Sequence, residues 1–300
     1  MSADFNTVGW DDRLIADARE LIRLALREDL AEAGDLTSQS VVGAERRGLA
    51  AIVSREAGVL AGVSLPTLVL QEGDADAEWL PTLKDGDPLS PGSVVGELAG
   101  DARDLLRCER VTLNLISRLC GVASLTRRYV EAVAGTDARV YDTRKTTPGW
   151  RLLEKYAVAC GGGCNHRTGL YDAVMIKDNH LALADQVGLT PADAVRRARE
   201  RQPGVVIEVE VDSLDQLRDA LPAGPDIVLL DNMTNEELRE AIALRNASAP
   251  GVVLEASGGV RLETITAIAG TGVDRISVGA LTHSAIGLDL GLDWRSGEAD

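Results

Sequence analysis

Between residues 103 and 177 the chain carries thirteen Lys or Arg against seven Asp or Glu, although its overall net charge is −16. The segment therefore has an excess of +6 and the rest of the chain carries −22. Such a basic island in an acidic protein is expected where a small anion binds, the alternative being a solvated basic face. Arg144, Lys145, Arg167 and Lys177 are its core, with His166 beside Arg167. A guanidinium meets a carboxylate through two parallel hydrogen bonds, whereas a lysine acts as a point charge. Cations gathered this densely repel one another unless anions sit among them, so a dianion or a polyphosphate is implied. Further on come Glu208, Glu210 and Asp231. Glu210 and Asp231 can hold sugar hydroxyls or Mg²⁺, directly or through water, or can pair with the same basic groups. Ser257-Gly258-Gly259 and Gly279-Ala280 offer backbone N–H groups ahead of helices, the makings of a phosphate cradle, though tight turns alone would read the same way. The three histidines (His166, His180 and His283) suit hydrogen bonding to carboxylate or phosphate, with acid–base work as the alternative. Cys160 and Cys164 near His166 lack zinc-site spacing.

These residues need elements to hold them. An apolar stripe over 11–29 predicts an amphipathic helix, which Gly34-Asp35-Leu36-Thr37 then interrupts. Short strand-like runs follow from about 48 to 100, around a helix near 65–72, and read as a small α+β domain. A long helical stretch covers 103–134, with Gly121 as a candidate kink or break. Strands are then predicted near 138–142, 172–176, 205–210, 226–230, 252–256 and 275–278. Helices are predicted near 150–159, 191–201, 213–220, 234–245, 261–269 and 282–286. Alternation of this kind builds a parallel sheet with crossover helices. Six clear units and a possible seventh strand near 288–293 predict a closed or nearly closed barrel, with a doubly wound open sheet as the alternative. Every one of these strands ends in a charged residue or a glycine-bearing loop, the place where barrel enzymes put their active sites.

Composition narrows the class. The acidic balance argues against nucleic acid and anionic membranes as partners. No apolar run approaches the roughly 20 residues that span a bilayer, and Met1–Phe5 does not read as a secretion signal. Four cysteines without a pairing pattern fit a reducing cytoplasm.

Several runs together resemble the quinolinate phosphoribosyltransferase family. They are Asp142-Thr143-Arg144-Lys145-Thr146-Thr147-Pro148-Gly149, Glu154-Lys155-Tyr156-Ala157, Asn165-His166-Arg167, Ile176-Lys177-Asp178-Asn179-His180, Glu208-Val209-Glu210-Val211-Asp212, Leu229-Leu230-Asp231-Asn232, Glu255-Ala256-Ser257-Gly258-Gly259 and Val278-Gly279-Ala280-Leu281-Thr282-His283. With Glu109-Arg110-Val111-Thr112 and Gly34-Asp35-Leu36-Thr37 upstream, the match runs in order from about residue 20 to 293. The resemblance implies an N-terminal α+β sandwich domain (1–134) and an incomplete seven-stranded β/α barrel (135–300) whose C-terminal end can pack back on the first domain. It implies decarboxylating transfer of phosphoribosyl to quinolinate with Mg²⁺, in a homodimer that shares its active sites. By that likeness Arg110 reaches the neighbour's quinolinate, and Arg144, His166, Arg167 and Lys177 surround its carboxylates. Lys145 meets pyrophosphate, Glu210 and Asp231 meet ribose and Mg²⁺, and Ser257, Gly258, Gly259, Gly279 and His283 hold the 5′-phosphate. Trp150 and Ala159 depart from the family pattern, and Ala159 removes a charge that bears on affinity. Rival readings are a nicotinate phosphoribosyltransferase, a related protein of molybdenum-uptake operons, and a non-catalytic barrel that binds anionic metabolites.

Overall fold

A computed structural model describes residues 4–185 and 188–295. The chain forms two compact units that interleave along its length. One takes the residues up to Thr7, Arg128–Lys145 and Gly163–Ala280; the other takes Val8–Arg127, Thr146–Gly162 and the chain from Leu281 on. The expected domain stretches 1–134 and 135–300 have their outer limits outside the described residues.

The second unit opens with α1 (Asp12–Leu30), capped where the Asp11 carboxylate accepts the Leu14 N–H at 2.9 Å. Its buried Leu14, Ala18, Ile22 and Leu26 recur every fourth residue, the spacing that lines up one helix face. The 34–37 run read as a break begins a short helix, α2 (Leu36–Val41), because Asp35 caps it by accepting the Ser38 N–H at 3.0 Å. Then come β1 (Arg47–Ser54), β2 (Gly58–Val59), α3 (Leu65–Glu72), β3 (Ala77–Pro81), β4 (Pro88–Leu89), β5 (Val94–Asp101) and the long α4 (Ala102–Ala132). Helix α4 runs unbroken through Gly121. A Cβ at Gly121 would overlap the carbonyl of Ile286, so the glycine serves close chain approach and not a break.

The first unit holds β6 (Arg139–Tyr141); α5 (Arg151–Cys160), next in the chain, lies in the second unit. After it come β7 (Val174–Ile176), α6 (Asp178–Asp185), α7 (Pro191–Arg201), β8 (Ile207–Val211), α8 (Leu214–Ala220), β9 (Ile227–Asp231), α9 (Asn235–Ser248), β10 (Val253–Ser257), α10 (Leu262–Ala269) and β11 (Arg275–Ser277). A short α11 (Ala280–His283) and β12 (Leu290–Trp294) end the chain's elements. The parallel sheet has the order β6-β11-β10-β9-β8-β7. Six strands make it up, each within about two residues of its predicted place. A single parallel bridge from Tyr141 to Cys164 extends it at the β6 edge. The expected seventh strand near 288–293 does form, as β12, but it pairs antiparallel with β1 from Ala50↔Trp294 to Ser54↔Leu290. That places it in the four-stranded sheet β12-β1-β5-β3 of the other unit. A five-residue strand satisfies its backbone on any open edge, and its side-chain pattern does not say which. Among the described residues no helix is long and apolar enough to cross a membrane.

Candidate active site

Asp142, fully buried just past β6, organises the first loop. It accepts the Asn165 side-chain N–H at 2.8 Å and the His166 backbone N–H at 2.7 Å, which pins residues 165–167 beside Arg144. Arg167 is buried and donates from Nη1 to the Ala173 carbonyl at 3.2 Å, yet its Nε has no hydrogen-bond partner among the described residues. Arg144 likewise has a buried, unpartnered Nε. Burial, and then the neighbouring Arg144, push the Arg167 guanidinium below its usual pKa. Two guanidiniums that repel each other and each hold an idle buried donor form a costly arrangement in the absence of an anion. Lys177 at the end of β7 donates to Glu210 at 3.0 Å with its side chain 44% exposed. Its backbone N–H is capped by His180 Nδ1 at 2.9 Å. Lys145 is exposed, and its N–H is held by Thr143 Oγ1 at 3.0 Å.

Glu210 stands opposite Leu229 in the β8–β9 ladder, and Asp231 opposite Ser257 in β9–β10. Both carboxylates therefore project to one face of the sheet, two residues of rise apart. The loop after β10 is tightly built. Asn232, at φ 55°, donates its backbone N–H to the Ser257 carbonyl at 2.9 Å and its side-chain N–H to Asp231 at 2.6 Å. Gly258 and Gly259 have φ of 96° and 58°, and a Cβ on Gly258 would overlap the Asn232 side chain. Gly258→Ala is thus expected to cost about 1–3 kcal/mol in backbone strain before the overlap is counted, weakening phosphoribosyl pyrophosphate binding by about fivefold or more. Isothermal titration with that ligand checks it, and unchanged affinity would remove Gly258 from the cradle.

Beneath these loops Glu208 and His166 belong to a buried polar cluster with Glu255 and Arg275. Glu208 and Glu255 are fully buried, and a side-chain hydrogen bond from Ser277 supports Glu255. His166 Nε2 approaches Glu208 to 2.9 Å and Glu255 to 3.6 Å, while its Nδ1 accepts the Arg167 N–H at 2.8 Å. The ring expected to face substrate thus turns both nitrogens to protein groups and orients Arg167 through its backbone. Arg275, only 1% exposed, adds a positive charge beside Glu255. Burial pushes the Glu255 carboxyl up to about 7; His166 pulls it down and Glu208 pushes it further up. A carboxyl raised above its unfolded value favours folding below the unfolded pKa, and that contribution is lost as pH rises through the folded pKa. Stability should therefore fall as pH rises from the ordinary glutamate range through the pH at which this group ionises in the folded protein. Glu255→Gln is expected to flatten that slope in denaturant unfolding followed at pH 5 and pH 8; an unaltered slope would contradict it.

All but two of the expected site residues fall in the first unit: Arg144, Lys145, His166, Arg167, Lys177, Glu210, Asp231, Ser257, Gly258, Gly259 and Gly279. Arg110 and His283 belong to the second. Arg110 is exposed on α4, 3.8 Å from Glu109, and His283 Nδ1 shares a 2.7 Å hydrogen bond with Ser284 Oγ. Glu255, Arg275, Asp4 and Phe5 were missed as contributors to the cluster under the site.

A parallel β/α sheet with cations, carboxylates and a glycine cradle at its strand ends defines an anion-handling barrel enzyme. The comparisons narrow the class. Residues 35–120 match the family model described as the N-terminal domain of quinolinate phosphoribosyl transferase, and residues 122–293 match its C-terminal domain. The carboxylating nicotinate-nucleotide pyrophosphorylase of Mycobacterium leprae is 46% identical over 278 residues, covering 92% of this chain and 96% of the relative. A probable enzyme of the same name from Bacillus subtilis is 44% identical, covering 92% of each chain. The solved nicotinate-nucleotide pyrophosphorylase of Francisella tularensis superposes with a TM-score of 0.88 at 36% identity, covering 97% of this chain and all of that one. The chain belongs to the quinolinate phosphoribosyl transferase family.

Proposed function

We propose that this chain transfers the phosphoribosyl group of phosphoribosyl pyrophosphate to the nitrogen of quinolinate, with loss of carbon dioxide, giving nicotinate mononucleotide and pyrophosphate for de novo NAD synthesis. The observation that carries the reading is the Arg144–Arg167 pair, two guanidiniums with idle buried donors that two adjacent ring carboxylates would satisfy. In this reading Arg144, Arg167 and Lys177 clamp quinolinate, and His166 sets the Arg167 backbone. The clamp holds the pyridine nitrogen at near-attack distance from the ribose anomeric carbon. Lys145 stabilises the charge that develops on the departing pyrophosphate. Ser257, Gly258, Gly259 and Gly279 cradle the 5′-phosphate. Once the nitrogen bears ribose it is cationic, and the adjacent carboxylate leaves as carbon dioxide, its electron pair held beside that positive charge.

Glu210 and Asp231 offer hard oxygen donors at neighbouring strand ends, the donor type Mg²⁺ takes alongside substrate phosphates. Bound there, the ion would neutralise pyrophosphate charge, while the same carboxylates orient the ribose hydroxyls. The reading also includes a cytoplasmic homodimer in which the exposed Arg110 of one subunit completes the other's quinolinate pocket. Supplying quinolinate, phosphoribosyl pyrophosphate and Mg²⁺ to the purified chain should yield mononucleotide and carbon dioxide in equal amounts. Turnover of nicotinate without carbon dioxide release, or no turnover of quinolinate, would overturn the proposal.

A further inference from the structure

We infer that Asp4 and Phe5 are positioning residues of the quinolinate pocket: the amino-terminal segment is a strut that holds His166 and Arg275 in place from behind. Residues 4–7 group with the barrel unit, although the chain from Val8 belongs to the other. Phe5 is the chain's only phenylalanine. Its ring lies 4.4 Å from the His166 ring, tilted by 35°, and the Arg275 guanidinium sits 5.7 Å from its centroid. Arg275 also lies 4.6 Å from the Tyr141 ring, so it is held between two aromatic faces. Asp4 closes the arrangement: its Oδ1 accepts from Arg275 Nη2 at 2.8 Å, Tyr141 Oη at 2.9 Å and Arg139 Nη2 at 2.7 Å, and its Oδ2 accepts from Arg139 Nη1 at 3.2 Å.

The consequence follows from charge and contact. Arg275 sits between two attractions: Asp4 on one side and Glu255 on the other. Asp4 holds one end of its guanidinium, while Nε and Nη1 have no hydrogen-bond partner among the described residues. With Asp4 or the Phe5 ring removed, the strongest remaining pull on Arg275 is the buried carboxylate pair, which is also what His166 Nε2 faces. Arg275 then competes with His166 for those carboxylates, and the imidazole loses the ring that backs it. Rotation of His166 releases the Arg167 N–H from Nδ1 and moves the backbone that carries one guanidinium of the clamp. Asp4 and Phe5 touch no substrate in this scheme and act through His166 and Arg275.

The inference rests on the reading of Arg144 and Arg167 as the carboxylate clamp, and its test separates the two. Phe5→Ala is expected to raise KM for quinolinate by about tenfold or more while KM for phosphoribosyl pyrophosphate changes by less than about twofold. Phe5→Tyr, which keeps the ring, should restore the wild-type value, and Phe5→Leu, which keeps only apolar volume, should not. Nitrogen NMR of the three histidines adds a direct readout: the wild-type signal of His166 shows an unprotonated Nδ1, and Phe5→Ala shifts it. Should Phe5→Ala fail to fold, Asp4→Asn provides the same split. Equal changes in both KM values, an unchanged quinolinate KM, or rescue by Leu as complete as by Tyr overturns the strut. If Arg167→Ala itself leaves quinolinate KM unchanged, the clamp reading falls; if Arg167→Ala weakens quinolinate and Phe5→Ala does not, only the strut falls.

Discussion

Replacing Arg167 with Ala raises KM for quinolinate by about two orders of magnitude and leaves KM for phosphoribosyl pyrophosphate nearly unchanged. The size follows from burial. Truncating one partner of a buried, hydrogen-bonded charge pair costs about 2–5 kcal/mol, or roughly 30-fold to several thousandfold in binding. Arg167 is 5% exposed, so a carboxylate held by it is largely desolvated. The free protein should respond in the opposite sense. Among the described residues Arg167 makes one hydrogen bond through its side chain, to Ala173, and faces the repulsion of Arg144, which outweighs the attraction of Glu208 or of Asp172. Its removal relieves that repulsion and an idle donor together, so the unliganded protein keeps or gains stability, within about 1 kcal/mol. A structural arginine would behave otherwise, losing stability and both affinities in parallel. Arg167→Lys restores charge without the planar two-pronged donor and should recover only a small part of the affinity. Steady-state kinetics in each substrate, with thermal unfolding of the free variants, decides between the two. A large loss of stability with equal loss of both affinities would remove Arg167 from the clamp.

The parts of this site that were legible in the sequence share a property: their chemistry is local. Lys177 and Asp231 stand directly after apolar runs, and Arg144-Lys145 follow one with two residues between, so strand ends and charges could be read together. The tight loop after β10 was legible because adjacent glycines mark a turn, and Gly258 and Gly259 do take positive φ there. The buried cluster was not, because β8 reads Ile207-Glu208-Val209-Glu210, the alternation of a half-exposed strand. Inside a curled parallel sheet that polar face turns inward, and Glu208 is fully buried while Glu210 is not. Arg275 heads a short strand, and nothing in its neighbours announces that Asp4, 271 residues away in sequence, will accept its hydrogen bond. Asp4 and Phe5 lie outside any periodic pattern, and only the uniqueness of Phe5 could have drawn notice. The sheet joined by β12 was hidden for a related reason, since pairing partners are a property of edges and not of residue order. Helix α6 follows the strand end so closely that Lys177-Asp178-Asn179-His180 reads as loop.

Glu154→Ala carries the second large effect, on stability, and is expected to cost about 3–5 kcal/mol. Glu154 is fully buried in the first turn of α5 and is fully used. It accepts from Arg118 Nε at 3.1 Å and Nη2 at 2.6 Å, from the Thr147 N–H at 3.0 Å and from Thr147 Oγ1 at 2.9 Å. Arg118 in turn donates to the Ala285 carbonyl at 2.6 Å and to the Thr282 carbonyl. One ion pair therefore ties α4, the run that begins at Thr146, α5 and the chain between α11 and β12 within a single unit. Removing the carboxylate leaves the Arg118 guanidinium, 24% exposed, with only carbonyl partners and orphans the Thr147 donors as well. Because both members serve one network, the losses cannot add. Arg118→Ala together with Glu154→Ala should cost less than the sum of the single variants by about 1–3 kcal/mol in denaturant unfolding. Strict additivity would mean that the two side chains act separately, and the tie would have to be sought elsewhere. Thr147 stands three residues beyond Arg144, so a loosened Glu154 frees the far end of the same run that carries the clamp. Melting of this pair should thus lower the affinity for quinolinate before the barrel sheet itself unfolds, which hydrogen exchange at Thr147 and along β8–β10 can order in time.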